Sequence, residues 1–194
     1  MKFLFSELKD IPHAPLVERF ANEYSPRSVL DVETGSGGNA IYLAKQGFVV
    51  TAIDREEESV VEIREYLKTN PLPLMTEVLN LKTEIPDFGK YDAVIFFNVL
   101  HYLKYQRGKS LLQKAVDTAK VEDVYIVSAM TTEGDFFKTN PDSYYLKPGE
   151  LKSLYEDNGW KMVSFSEGEA IMRARYEDGT PMKNVVTRII AEKL

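Results

Sequence analysis

Apolar residues along this chain fall in short blocks of two kinds, and the two kinds alternate. Ser28 to Val32 reads as a buried strand, Gly35, Gly37 and Gly38 as a tight turn, and Ala40 to Lys45 as a helix that starts immediately afterwards. Upstream, Leu16, Val17, Phe20 and Tyr24 share one helical face over Ala14 to Tyr24, with Pro15 suited to the first turn. Downstream, Phe48 to Asp54 predicts a second strand that ends on an acid. A helix follows from Glu56 to about Asn70, stopped by Pro71 and Pro73. Leu74 to Leu79 predicts a weaker third strand and Tyr91 to Phe97 a buried fourth one. Gly108 to Lys120 predicts a helix with Leu111, Leu112, Ala115, Val116 and Ala119 inward, and Val124 to Ala129 a fifth strand.

Strand and helix in regular alternation predict an α/β fold, a doubly wound and mostly parallel sheet whose ligand crevice lies beyond the strand C-termini. The first turn, Asp54, Asn80 and Asn98 all fall at such ends. After Ala129 the pattern changes. A polar, aromatic loop from Met130 to Lys147 leads to a helix over Pro148 to Asn158. Trp160 to Ser166, Ile171 to Tyr176 and Met182 to Glu192 then read as strands, with Asp178-Gly179 as a hairpin turn, so an antiparallel C-terminal edge is expected. Nothing in the pattern calls for a linker. The expectation is one domain over 1–194, with a cap helix in 1–27, a ligand-binding core in 28–129 and a substrate-side part in 130–194.

Composition narrows the class. The 194 residues are 44% apolar, enough for a substantial core. Ser6, Glu7, Lys9 and Asp10 interrupt the apolar start too early for a leader or a membrane helix, so a cytoplasmic chain is expected. With no cysteine, disulfides, thiolate metal sites and a cysteine nucleophile are excluded. The formal charge of −6 argues against a broad nucleic-acid surface. The oligomeric state is left open.

A strand, a glycine turn and a helix in that order point backbone N–H groups at whatever lies over the turn, which suits an anion or a nucleotide. Asp54, closing the second strand, can accept hydrogen bonds from the neighbouring hydroxyls of a ribose, or can simply cap the following helix. Glu56, Glu57 and Glu58 match a solvated first turn better than a metal site. His101, next to Tyr102 just after the fourth strand, is the better placed of only two histidines to take a proton, with plain packing as the other reading. His13 is expected to pack or to face solvent. Arg173 and Arg175 alternate along a strand and so share a face that would suit an anionic substrate.

Taken together these residues resemble the class I S-adenosylmethionine-dependent methyltransferases, and within them the tellurite-resistance, TehB-like group. The resemblance rests on Val29-Leu30-Asp31, the glycine turn and Asp54. It is densest through Gly37 to Ala44 and Val50 to Asp54, begins at Pro12-His13-Ala14-Pro15-Leu16, and returns in Tyr91 to Ile95, in Lys147 to Leu151 and in Ile189 to Lys193. It implies a Rossmann-like methyltransferase fold, S-adenosylmethionine as cofactor and a small-molecule methyl acceptor, with a tellurium or selenium oxyanion as the candidate. It further implies that Gly35 and Gly37 admit the cofactor, that Asp54 holds the ribose and that Asp31 faces the amino group of the methionine part. Asn80, with Leu81 beside it, would meet the adenine, and the backbone around Asn98 would close over the methionine end.

Three positions depart from that pattern. Glu33 stands at the first turn glycine, Gly38 where arginine is usual and Asn80 where aspartate is common. Glu33 sits where it either meets the cofactor's positive charge or competes for its space, and the sequence favours competition, so that Glu33→Gly strengthens binding. The family's histidine in the late hairpin is absent, with Met172, Arg173 or Arg175 nearest. Two other readings stay open. Gly35-Ser36-Gly37-Gly38-Asn39-Ala40 also fits the dinucleotide pattern of a nicotinamide-dependent oxidoreductase, and Glu33 would suit a non-catalytic relative that has lost its cofactor.

Overall fold

Why the first half of the chain forms parallel strands is visible in their burial. β1 (Ser28–Val32) and β2 (Val49–Asp54) are buried along nearly their whole length, as strands covered on both faces must be. The structure is a computed structural model that describes residues 12–25 and 27–194. It divides into two compact units, one up to Ile95 and one from Phe96.

In the first unit β1 pairs in parallel with β2, from Ser28 opposite Val49 to Val32 opposite Ile53, and β2 pairs in parallel with β3 (Leu74–Val78), ending with Asp54 opposite Val78. That register sets the ends of β1 and β2 side by side. α1 (Pro15–Glu23) carries its proline in the first turn and buries Val17 and Phe20, the Phe20 ring lying 5.2 Å from that of Phe48. α2 (Gly38–Lys45) begins on Gly37, whose φ of 77° is the left-handed conformation that glycine adopts at little cost. α3 (Glu57–Thr69) buries Val60 and Ile63. β4 (Ala93–Phe97) crosses from one unit into the next.

The second unit holds α4 (Tyr105–Thr118), β5 (Val124–Gly134), α5 (Asp135–Thr139), α6 (Glu150–Asp157), β6 (Trp160–Arg175) and β7 (Pro181–Lys193). β7 pairs antiparallel with β5 and with β6, which gives the expected antiparallel C-terminal strands. Parallel strands in the first unit and antiparallel ones in the second give the mixed α/β class that the alternation predicts. Tyr125, Tyr155 and Trp160 pack as a buried aromatic group, and the Tyr125 hydroxyl donates to the Ala115 carbonyl at 2.9 Å.

Three expected boundaries move, each for a packing reason. Gly108 is not the start of α4 but lies inside it, because a Cβ there would sit 2.5 Å from Tyr144. β5 runs on to Gly134, into the expected loop, with an irregularity between Met130 and Gly134. The two strands expected over Trp160 to Ser166 and Ile171 to Tyr176 are one strand, β6, since Glu167, Gly168, Glu169 and Ala170 keep their pairing with β7. The Asp178-Gly179 turn stands, with Tyr176 N–H donating to the Thr180 carbonyl at 2.9 Å. Among the described residues no helix is long and apolar enough to cross a membrane.

Candidate functional site

The chain leaves β1 at Val32 and reverses through Glu33, Thr34, Gly35 and Ser36 before α2 begins. Glu33 at φ 54° and Gly35 at φ 56° are both left-handed, so Glu33 occupies a backbone conformation that glycine takes more cheaply. Nothing lies within 4 Å of where a Cβ on Gly35 would project, so that side of the turn is open. At Gly37 the opposite holds, a Cβ meeting Ile63 at 2.8 Å, which lets α2 settle close on α3.

Asp54 holds the turn in place. One carboxylate oxygen accepts from the Gly35 N–H at 2.7 Å and the other from the Glu56 N–H at 2.9 Å, while Thr34 N–H donates to the Ile53 carbonyl at 2.9 Å. The capping role weighed for Asp54 is therefore present, together with a tie across the turn. A carboxylate has about four acceptor sites, so both oxygens keep capacity for a further donor.

Asp31 is buried, accepts from the Thr34 hydroxyl at 2.6 Å and has a backbone hydrogen bond with Ala40. Loss of hydration and then the nearby charge of Asp54 nonetheless push its carboxyl up to about 7. Glu33 is pushed up to about 7 for the same two reasons, against the pull of Arg55, whose Nε lies 4.0 Å from its carboxylate, and of Lys82. Asp31, Glu33 and Asp54 thus crowd negative charge around one open turn. Asn80 lies two residues past the end of β3, where its side-chain carbonyl accepts from Lys82 N–H at 3.0 Å; Leu81 beside it is buried. His13 stacks on Tyr42 at 3.7 Å, so it packs.

The remaining candidates belong to the second unit. Asn98, left-handed at φ 60°, is fastened to β5, its N–H donating to the Ser128 carbonyl at 2.7 Å and its side-chain oxygen accepting from the Ser128 hydroxyl at 3.2 Å. His101 lies in the 3-10 turn Leu100–Tyr102, only 6% exposed, with neither ring nitrogen hydrogen-bonded to a described residue. Burial lowers its pKa to about 4. Its ring neighbours are Tyr102 at 4.1 Å, Phe136 at 5.8 Å and Tyr145 at 6.3 Å. Arg173 is on β6 and its side chain is outside the described residues. Arg175 closes the hairpin instead of offering itself to a ligand, donating to the Gly179 carbonyl at 2.8 Å.

The sequence pattern missed Thr34, Phe136 and Tyr145. The pairs Phe136-Phe137 and Tyr144-Tyr145, aromatic residues set in a polar stretch, were the available signal.

Parallel strands, a glycine turn and an acid at the end of β2 define a Rossmann-like α/β protein of the methyltransferase type. The chain belongs to the family of the tellurite resistance protein TehB, whose model matches residues 10–188. It is 26% identical over 187 residues to the probable S-adenosyl-L-methionine-dependent methyltransferase TehB of Haemophilus influenzae, covering 93% of this chain and 62% of that one. The chain therefore spans less than two thirds of that relative. The crystal structure of TehB from Haemophilus influenzae shares the fold, with a TM-score of 0.82 and 22% identity, over 97% of this chain and 65% of the other. So does that of the 1,6-didemethyltoxoflavin-N1-methyltransferase of Burkholderia thailandensis with bound S-adenosylhomocysteine, with a TM-score of 0.64 and 16% identity, over 93% and 77%.

Proposed function

We propose that the chain transfers a methyl group from S-adenosylmethionine to a small molecule. One observation carries the choice of cofactor, the sign of the charge around the turn. Asp31, Glu33 and Asp54 would repel the pyrophosphate of a nicotinamide dinucleotide but favour a ligand whose sulfur and amino group are positive. The chain's own residues fit such a ligand. Asp54 offers acceptor capacity to ribose hydroxyls, Gly35 leaves the approach open, and Asp31 and Glu33 lie close enough to Asp54 to share its field, which favours a positively charged ligand. Asn80 and Leu81 would flank the adenine and Asn98 the methionine end, roles that come from the family resemblance.

When bound, the cofactor supplies a methyl group on a positively charged sulfur. The chain has to bind and align it, exclude water and take up any proton the acceptor releases. His101 is our candidate for the last task, and Arg173 stays a candidate by its strand position alone. The family's description, a tellurite resistance protein, suggests a tellurium oxyanion as acceptor, and a selenium oxyanion comes from the resemblance alone. A cytoplasmic setting, with neither nucleic acid nor membrane as partner, belongs to the same reading, since S-adenosylmethionine is a small charged molecule of the cell interior.

Calorimetric titration of the purified protein with S-adenosylmethionine, S-adenosylhomocysteine and NAD tests it. Binding of the first two at about micromolar strength or better, worth roughly 8 kcal/mol, with no heat from NAD, is expected. Binding of NAD alone would overturn the assignment. A protein that binds none of the three would be the non-catalytic relative.

A further inference from the structure

We propose that Asp31 reaches the cofactor through Thr34: the Thr34 hydroxyl accepts a hydrogen bond from the ammonium group of the methionine part, and Asp31 is the positioning residue behind it. This rests on the methyltransferase reading and replaces, within it, a direct contact between carboxylate and ammonium.

Burial separates the two residues. Asp31 is only 1% exposed, so its carboxylate has almost no surface to offer a ligand. Among the described residues its partners are the Thr34 hydroxyl at 2.6 Å and the backbone of Ala40, in the first turn of α2. Thr34 itself is partly exposed. It precedes Gly35, on whose open side nothing lies within 4 Å of a Cβ position. The charge of Asp31 is therefore available at the surface of the turn by way of that hydroxyl.

Hydrogen-bond arithmetic fixes what the hydroxyl can take. A threonine hydroxyl has one proton to donate and two lone pairs to accept with. Its proton is committed to Asp31, at a length typical of a bond to an ionised carboxylate, so only acceptor capacity is left. A hydroxyl that donates to an anion is also polarised into a better acceptor. An ammonium fits that capacity and a carboxylate does not. The methionine part carries both groups, so Thr34 decides which of them is turned toward it.

The residue is held for this task. Thr34 N–H donates to the Ile53 carbonyl at 2.9 Å, and the Thr34 carbonyl accepts from the Gly37 N–H at 3.0 Å, so both backbone groups are used inside the turn. A β-branched side chain on a fixed backbone has few rotamers, and the bond to Asp31 selects among them.

Charge supplies a second link. Burial, and less strongly Asp54 at the end of β2, push the Asp31 carboxyl up to about 7, while the Thr34 hydroxyl pulls it down. An ammonium on Thr34 adds a positive charge to that balance and favours the ionised form, so binding is coupled to proton loss from Asp31. The other ionisable groups on the turn and on α2 have neighbours of their own. Glu33 faces Arg55 at 4.0 Å, Tyr42 stacks on His13 at 3.7 Å, and Lys45 lies 5.9 Å from the centre of the Tyr66 ring.

The experiment titrates two ligands at about pH 5.5 and about pH 7.5, where an α-amino group is mostly protonated. S-adenosylhomocysteine has the ammonium without the sulfonium, and 5′-methylthioadenosine is the same nucleoside without the amino acid part. Wild type should bind S-adenosylhomocysteine several-fold more tightly at the higher pH. Thr34→Val keeps the shape and loses the hydroxyl. It should weaken S-adenosylhomocysteine about twentyfold at the higher pH, flatten its pH dependence, and change methylthioadenosine by less than about twofold. Thr34→Ser should return to within about threefold of wild type, since the hydroxyl is restored. Asp31→Asn, which carries the test if Thr34→Val does not fold, still accepts from Thr34 but has no charge. It should weaken S-adenosylhomocysteine about tenfold, and the double variant should lose no more than Thr34→Val alone, because the two residues act in series. Wild type that fails to bind S-adenosylhomocysteine defeats the methyltransferase reading itself. Binding in wild type with an unchanged affinity in Thr34→Val or Asp31→Asn, equal losses for the two ligands, no recovery in Thr34→Ser, or additive losses in the double variant each defeats the proposal alone.

Discussion

The two units bury ionisable groups in opposite ways. In the first, Asp31 and Glu33 lie beside Asp54, and desolvation together with like charge pushes both carboxyls up to about 7. In the second, His101 sits among aromatic rings, and desolvation alone lowers its pKa to about 4. Burial has favoured the neutral form in both cases, but the consequences differ. The acids are poised at the edge of ionisation, where a cation can draw them into their charged form. The imidazole is fixed as neutral and stays so whatever the pH of the cell. One region answers charge and the other ignores it.

The largest effect should come from the residue that ties the turn together. Asp54→Ala removes acceptors for ribose hydroxyls and also the bonds to the Gly35 and Glu56 N–H groups. Affinity for S-adenosylhomocysteine should fall by about 2–4 kcal/mol, because charge-assisted hydrogen bonds are the strong ones. Titration of the folded variant checks it. An unchanged affinity would reduce Asp54 to a cap and move the cofactor away from the turn.

A smaller effect separates the units by pH. The folded pKa of Asp31 lies above its unfolded value, so the folded chain holds more protons and this residue's contribution to stability is full below about 4 and lost as pH rises through about 7. His101 has its folded pKa below the unfolded 6.5, so its contribution is present above that value and lost as pH falls toward about 4. Thermal melts of the ligand-free protein should therefore show Asp31→Asn gaining on wild type as pH rises from about 4 to about 7, by on the order of 2 kcal/mol, with no further change above that. His101→Gln should gain on wild type at the acid end. Parallel curves for both variants would mean that the contrast between the regions is false.

Much of this was legible beforehand where local chemistry settles the outcome. The glycine turn, the acid ending β2 and the Asp178-Gly179 hairpin depend on residues close in sequence, and they appear where the pattern puts them. What the pattern hid depends on distant partners. Gly108 resembles a helix start until Tyr144 is seen against it, and β5 and β6 continue because β7 lies beside them. The same holds for chemistry. Asp31 and Asp54 were found from spacing, whereas the wall of Phe136 and Tyr145 around His101 joins residues more than thirty positions apart and leaves only an aromatic bias in the sequence.

The smallest effect, and the one whose sign matters most, concerns Glu33. From sequence alone Glu33→Gly should tighten cofactor binding by removing an obstacle. The structure points the other way. Glu33 already adopts the left-handed backbone of the glycine it replaces, so the path of the turn is kept, and its carboxylate lies near enough to Asp54 to add to the negative field there. The substitution relieves a left-handed penalty of about 1–2 kcal/mol but loosens the unfolded chain by up to about 1 kcal/mol, so stability should change little. Affinity should instead weaken by about 0.5–1 kcal/mol, the worth of a partly screened charge. Two controls identify the cause. Added salt should narrow the gap between the proteins, and so should lowering the pH below about 7, where Glu33 takes a proton. Paired titrations with S-adenosylmethionine at two salt concentrations and two pH values measure all of this. A glycine variant that binds more tightly, by an amount indifferent to salt and pH, would show that Glu33 is a steric block, and the cation would then be left to Asp31 and Asp54.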